Sequence, residues 1–437
     1  MFELFLPLAF MLSPGAIKAA GNGSGAGGML FGIFLFAAMA QALFTGNGMG
    51  ATQEGSSASR GLHCAGLGII SAARILALFT LVTLWLGEAG YAFNELFAPW
   101  YPNLGFSFTL LALIFGISML PETPRGVVLY LATMITLAGV GYVAVMATQP
   151  HGLESWFPTM FPQKTPPFFP TGGDPVRSLY LALLALLGFD LAVRPDSGRG
   201  ARRTAIAVLL AVAVFGVCMW GGLSAAHPLD LAGSVVPHFL MASIALGERG
   251  RDIMGVVVLT GTFAAATALL TACCRQMQHL FRRTDDLNFH RAMSILLCLG
   301  VAAMLATGWA GEPRLEILIA VALTGWFAGY ALINLSHAVR GVLPPLAVTG
   351  VLLYVFGACV ASGLTTDLFA RLASLLTDGA ADAVHEGTTD PGQLLLFAYA
   401  FAGLCGVALL FALGFRRPPA QAKGDDSTPK DGQPTKK

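Results

Sequence analysis

The sequence predicts an all-α polytopic membrane protein with about twelve spanning helices and no sizeable soluble domain. Three observations predict it. The chain has 437 residues, 55% hydrophobic and only 11% charged, with a mean hydropathy of +0.70. Soluble domains carry about 25% charged residues, so this composition cannot cover a surface that faces water. Apolar runs recur along the chain without a pause long enough to hold a soluble domain. The basic residues between those runs alternate in density, as they do when loops lie on opposite sides of a membrane.

Taken in order, the runs cover 2–20, 27–46, 67–92, 104–120, 126–147, 177–194, 203–224, 251–281, 292–310, 315–338, 342–363 and 392–415. Each approaches the roughly 20 apolar residues that a span requires, the first being short and the eighth long. The first reads as a retained helix, because Glu3 stands where a signal peptide carries basic residues. An even number of spans places both termini on one side. Arg60, Arg125, Arg194, Arg199, Arg202, Arg203, Arg275, Arg282, Arg283, Arg291, Arg340 and the tail from Arg416 to Lys437 share that side. The other side receives Lys164, Arg177, Arg249, Arg251, Arg314 and Arg371. The positive-inside rule therefore assigns both termini to the cytoplasm, in a multi-pass protein of the inner, or cell, membrane.

Between the runs, 148–176 is proline-rich and carries Trp156, Phe157, Phe161, Phe168 and Phe169, which suits a cap at the membrane surface. Residues 233–247 read as a short interfacial helix, and 365–391 is acidic. The segment after Phe415 has the composition of a disordered tail.

Composition also excludes function classes. A net charge of +1 gives no field for nucleic acid. The seven cysteines form no C-x-x-C pair and read as small buried residues. Haem ligation needs histidines within spans, whereas His151, His227, His238, His279, His290, His337 and His385 fall in or beside loops, and His63 lies near an inner boundary. Nothing resembles a paired-carboxylate or Ser/His centre, so the chain is expected not to be an enzyme and to hold no cofactor. A non-catalytic membrane subunit is the rival to a transporter.

Two spans are interrupted. The first contains Ser13-Pro14-Gly15-Ala16-Ile17-Lys18, where proline removes a donor and glycine adds freedom, predicting unwound backbone near 13–17. The sixth contains Leu187-Gly188-Phe189-Asp190, an ionisable residue inside a span. If spans one to five repeat as six to ten, the two breaks occupy matching places, which points to a transporter binding site. Half-helix N–H groups suit a carboxylate and freed carbonyls suit an ammonium. The blander readings are a simple kink at Pro14 and an early end of helix six, with Asp190 beside Arg194.

At these residues the chain resembles the amino acid–polyamine–organocation transporters, the APC superfamily of amino acid permeases. Their first helix carries a G-S-G-[IV]-F-like break, matched here by Ser13-Pro14-Gly15-Ala16-Ile17 followed by Gly27-Gly28. Their sixth helix reads F-x-G-[FV]-[DE], matched by Leu186-Leu187-Gly188-Phe189-Asp190. Their eighth ends in a basic run, matched by Cys274-Arg275-Gln276-Met277 and Arg282-Arg283-Thr284-Asp285. Pro14, Ile17 and the Arg194-Pro195-Asp196 turn depart from the pattern.

The resemblance implies an inverted repeat, one half about 1–147 and the other about 177–340, with extra helices over 342–415 and a tail from 416 to 437. It implies alternating access and an amino acid or amine substrate, a non-amino-acid organic solute being the alternative. Backbone at Ser13, Gly15, Ala16 and Ile17 would hold a substrate carboxylate. Backbone at Leu187 and Gly188 would hold its amine, and Phe189 would close over the site.

Asp190 is the expected proton-coupling carboxylate. Lys18 has three placements open to it: snorkelling outward, pairing with Asp190, or touching an acidic substrate group. If sodium is the coupling ion instead, Thr260, Thr262 and Thr267 are the candidate hydroxyl ligands, against ordinary helix packing. Arg74 is expected to snorkel toward phosphate. Trp326 and Tyr330 face either the pocket or another helix.

Overall fold

A chain in lipid must satisfy its backbone N–H and C=O groups internally, and this one does so with helices. The computed structural model describes residues 2–49, 56–148, 174–192, 199–226, 228–283, 286–363 and 391–416. Among the described residues there are 15 α-helices, one 3-10 turn and no strands. The first eight are α1 (Phe2–Met11), α2 (Pro14–Gly27), α3 (Met29–Met49), α4 (Ser57–Leu96), α5 (Asn103–Ser118), α6 (Glu122–Thr148), α7 (Pro175–Ala185) and α8 (Arg199–Ala225). The 3-10 turn, Phe189–Ala192, falls between α7 and α8. The rest are α9 (Pro228–Gly233), α10 (Pro237–Leu246), α11 (Glu248–Leu280), α12 (Leu287–Ala306), α13 (Pro313–Arg340), α14 (Pro344–Ala361) and α15 (Pro391–Arg416).

Among the described residues, 9 helices are long and apolar enough to cross a membrane, and the bent α1–α2 pair makes a tenth. Two other predicted spans form helices of fewer than 18 residues, the first close to its predicted length and the second well short of it. Segment 104–120 becomes α5, of 16 residues, and 177–194 becomes α7, of 11 residues, followed by the 3-10 turn. The third span is longer than its apolar run. Ser56 caps α4 by accepting the Ser59 N–H at 3.3 Å, so the 40-residue helix starts well before the run at 67. At 1.5 Å per residue α4 is about 60 Å long and exceeds the bilayer thickness.

α4 is the scaffold of the bundle, packed against α13, α15, α11, α5 and α12. Phe36, Leu299, Leu352 and Leu410 are each more than half exposed on the outside of the bundle. Such side chains are at home against acyl chains. The interior is lined by small residues, which let backbones approach. A Cβ on Gly27 of α2 would lie 2.1 Å from the Ser178 hydroxyl of α7, and that hydroxyl donates to the Gly23 carbonyl at 3.1 Å.

The short helix predicted at 233–247 is α10, preceded by a second short helix, α9, but it is buried in the bundle and not laid on a surface. α10 buries Pro237, His238, Met241, Ala242 and Ala245 and packs on α11, α6 and α2. It is a plug seated in one end of the bundle. The opposite end carries the Glu3–Arg203 and Glu122–Arg275 ion pairs and the contact of His279 with Phe415, at 5.6 Å between rings. Both described termini therefore lie at that opposite end. Most of the 148–176 cap, almost all of the 365–391 loop, and the tail beyond Arg416 lie outside the described residues.

Candidate substrate site between two broken helices

Pro14 cannot donate a hydrogen bond, and its ring clashes with a preceding turn, so α1 stops at Met11 and α2 leaves at 50°. Ser13 organises the corner. Its hydroxyl accepts the Ala16 N–H at 3.3 Å and its carbonyl accepts the Ile17 N–H at 3.0 Å. The break is therefore confined to Leu12 and Ser13, where the sequence predicts unwinding over 13–17. Proline at the first helical position is pre-set for a helix, which explains the difference. Of the N–H groups assigned to a carboxylate, those of Ala16 and Ile17 are already used. Gly15 keeps its first-turn N–H, a position with no intrahelical acceptor. It packs under Trp85, where an added Cβ would stand 3.0 Å from Nε1.

The second break follows α7. Leu187 donates to the Leu184 carbonyl at 3.1 Å, and Leu191 donates to the Gly188 carbonyl at 3.1 Å. Gly188 between them has φ +86, a conformation that side chains disfavour. Phe10 presses on it, and a Cβ there would lie 2.3 Å from the Phe10 ring. Phe10 thus joins the two breaks. It also meets Trp85 edge-on at 5.5 Å and Trp326 at 5.5 Å, forming an aromatic layer. Phe189 is not at the mouth of the site. It is 2% exposed and stacks on Tyr330 at 4.9 Å, behind the break.

Asp190, on the 3-10 turn, is ion-paired with Arg74 of α4, and both are buried. Arg74 therefore does not snorkel, and it is the partner that the sequence suggested Lys18 could be. Its guanidinium lies 5.8 Å from the Trp326 ring centre, a cation–π contact. Around the pair, Arg74 Nε and Trp326 Nε1 are buried without hydrogen-bond partners, while the Tyr330 hydroxyl faces the Asp190 carboxylate as a donor to it. Trp326 and Tyr330 thus face the breaks. Tyr330 meets Tyr354 at a tilt, 5.0 Å between ring centres, and the Tyr354 hydroxyl accepts from Thr45 at 3.5 Å.

On the other side of the aromatic layer is a cavity of about 460 Å³. Pro14 and Lys18 of α2, Glu88 and Glu95 of α4, His238 of α10 and Arg251 of α11 line it. Lys18 is half-buried here, one turn past the first break. Glu88 is a residue that sequence reasoning missed, although the signal was present. Arg74, Leu81, Glu88 and Glu95 recur at a seven-residue spacing on α4, which keeps them on one helical face.

The three threonines of α11 diverge. Thr260 accepts from Thr136 of α6 at 2.9 Å. Thr267 donates to the Phe263 carbonyl at 2.7 Å. Thr262 is buried with its hydroxyl unpartnered. The neighbouring Gly261 faces the first break, where a Cβ would stand 3.1 Å from the Leu12 carbonyl oxygen.

No family model and no curated protein matches the chain. Solved structures do. A mutant of the Eremococcus coleocola manganese transporter superposes with a TM-score of 0.54 at 12% identity, over 95% of this chain and 94% of that one. The same transporter in complex with an aromatic bis-isothiourea compound gives 0.52 at 11% identity, over 95% and 94%. A Na+-coupled sialic acid symporter in a substrate-bound, outward-open state gives 0.52 at 11% identity, over 83% and 89%. At these identities the likeness is one of architecture: the chain has a fold shared with membrane transporters.

Proposed function

We propose that the protein is a secondary active transporter that moves an amino acid or related amine across the cell membrane by alternating access. The observation that carries this reading is the meeting of the two breaks, joined by Phe10 against Gly188 at the centre of the bundle. Paired interruptions at matching places are costly in lipid and mark a substrate site. In this reading 1–147 and 177–340 are the inverted halves, and the termini face the cytoplasm. The α1–α2 and α7–turn segments move against the α4 scaffold.

The unpartnered atoms describe the solute. Trp326 Nε1 and Arg74 Nε are donors seeking an acceptor such as a carboxylate; the Tyr330 hydroxyl and Asp190 face each other, and an ammonium would reach Asp190 by displacing that hydroxyl. One structural neighbour carries manganese and another sialic acid, so fold alone leaves the cargo open. The Arg74–Asp190 pair is close to neutral and Asp190 is already engaged, so the spare N–H donors favour an organic solute with an anionic end over a bare metal ion. A non-amino-acid organic acid fits the same donors and is the second reading.

For coupling, a proton reaching Asp190 competes with Arg74 for the carboxylate. Proton coupling therefore acts through opening of the Arg74–Asp190 pair, which serves as a latch between the moving turn and the scaffold. Thr262, buried with an unpartnered hydroxyl and next in sequence to Gly261, is the remaining hydroxyl for a sodium route.

The test is ligand-induced thermal stabilisation of the purified protein, across amino acids, amines, organic acids and divalent metals, with and without sodium, at two pH values. A native-state binder raises the transition temperature by mass action. Concentration-dependent shifts from amino acids support the reading, and shifts from organic acids alone select the second one. Stabilisation by divalent metals alone would sink both.

A further inference from the structure

The cavity outside the aromatic layer has an arrangement of charge that the broken helices do not explain. Glu95 and Arg251 satisfy each other at 3.1 Å. Lys18 and Glu88 do not form a pair within 4 Å, yet each is half-buried, each lines the cavity, and each is within electrostatic reach of the other. His238 adds a buried Nδ1 with no partner, and Tyr91, Ser234 and Ser243 complete the polar lining.

An ammonium and a carboxylate held apart in a partly desolvated cleft each forfeit hydration without gaining the other. Contact would remove that cost, but Lys18 belongs to the hinged half-helix and Glu88 to the scaffold, with open volume between α2 and α4. A solute that brings one charge of each sign satisfies both at once. A simple acid or a simple amine satisfies one and leaves the other uncovered.

We infer that the floor of this cavity is a docking site for zwitterions, in which Lys18 takes the carboxylate and Glu88 the ammonium of an amino acid before it passes the aromatic layer. The site lies one turn from the first break and presents the solute to Gly15 and Trp85 below. It rests on the proposed transport of amino acids and adds a selectivity to it: both charges are required at the first stop. The other ionisable groups facing the pair are His238, Tyr91, Glu95 and Arg251.

The experiment is titration calorimetry on the purified full-length protein in detergent. The probes are the standard amino acids, β-alanine and γ-aminobutyrate, with propionate and propylamine as single-charge controls. Wild type is expected to bind at least one zwitterion about tenfold or more tighter than either control, the scale of one charge-assisted hydrogen bond. Glu88→Gln and Lys18→Met are each expected to weaken that zwitterion about tenfold and to shrink its advantage over the controls. A zwitterion bound equally by wild type and both variants overturns the site and leaves the transport reading intact. A wild type that binds only propionate or propylamine, or none of the probes, overturns the amino-acid reading and the site with it. Should a single variant fail to fold, the exchange Lys18→Glu with Glu88→Lys keeps both charges and must retain the preference for zwitterions.

Discussion

Asp190 and Arg74 show what one buried charge requires of its neighbour. Removing one partner leaves an uncompensated ion in the core, a loss of about 3–5 kcal/mol, whereas replacing both by apolar groups is often neutral. Arg74→Met and Asp190→Asn are each expected to lower thermal stability sharply and to abolish uptake into proteoliposomes. The double variant Arg74→Met with Asp190→Leu should recover most of the stability and none of the uptake. Double-mutant thermal unfolding checks this. A double variant as unstable as the singles would show that the pair is not the cause.

His238, in the short helix α10, gives a pH dependence. Burial first, and then the Lys18 charge, lower its pKa from 6.5 to about 3. The unfolded chain therefore binds a proton below pH 6.5 that the folded chain refuses. Stability from this group is complete above 6.5 and declines as pH falls, by up to about 1.4 kcal/mol per unit, until about 3. His238→Gln should flatten that decline in acid unfolding measurements. At this scale Asp190, Gly15 and Gly188 were visible in the sequence as interruptions of apolar runs. The identity of the Asp190 partner was not, because Arg74 is 116 residues away and its pairing depends on how α4 packs.

At the scale of elements, the two breaks differ in kind. The first is a capped corner, held by the Ser13 hydroxyl and pre-set by Pro14. Ser13→Ala should cost about 1 kcal/mol, the usual worth of such a cap. Pro14→Ala removes the clash that separates α1 from α2. It should slow uptake while leaving stability unchanged or raised, which transport assays and thermal unfolding read together. The second break depends on positive φ at Gly188. Gly188→Ala meets both a disfavoured backbone and the Phe10 ring. Pairing it with Phe10→Ala relieves only the steric part, so stability should recover partially. The sequence located both corners but overestimated the first, because it counted glycine as unwound where proline had already restarted the helix. It also placed α10 at the membrane surface. Its apolar run marks it for burial, and only packing shows that the burial is in protein.

For the whole molecule, alternating access makes a prediction about distance. Spin labels at Ala92 on α4 and Ser243 on α10 straddle the cavity. Adding a stabilising solute should shift the population toward shorter separations, measured by pulsed electron resonance, as the α10 plug and α2 close over it. A distribution unchanged by saturating solute would contradict closure at this end. The proposed movement would draw on the contrast between the long α4 scaffold and the short, bent segments that face it.

By itself the sequence determined that the chain is a bundle of membrane helices, roughly where each helix runs, and where two of them break. Those are local properties. Hydropathy over about 20 residues, a proline's missing donor and a glycine's tolerance of positive φ are all written in adjacent positions. Tertiary structure alone decided that Arg74 pairs with Asp190, that Lys18 shares a cavity with Glu88, and that Phe189 sits behind the break against Tyr330. The physical reason is that a helix face is chosen by what packs against it. Charges on distant helices acquire partners only after that packing is fixed, when burial makes an unpaired group too costly to keep.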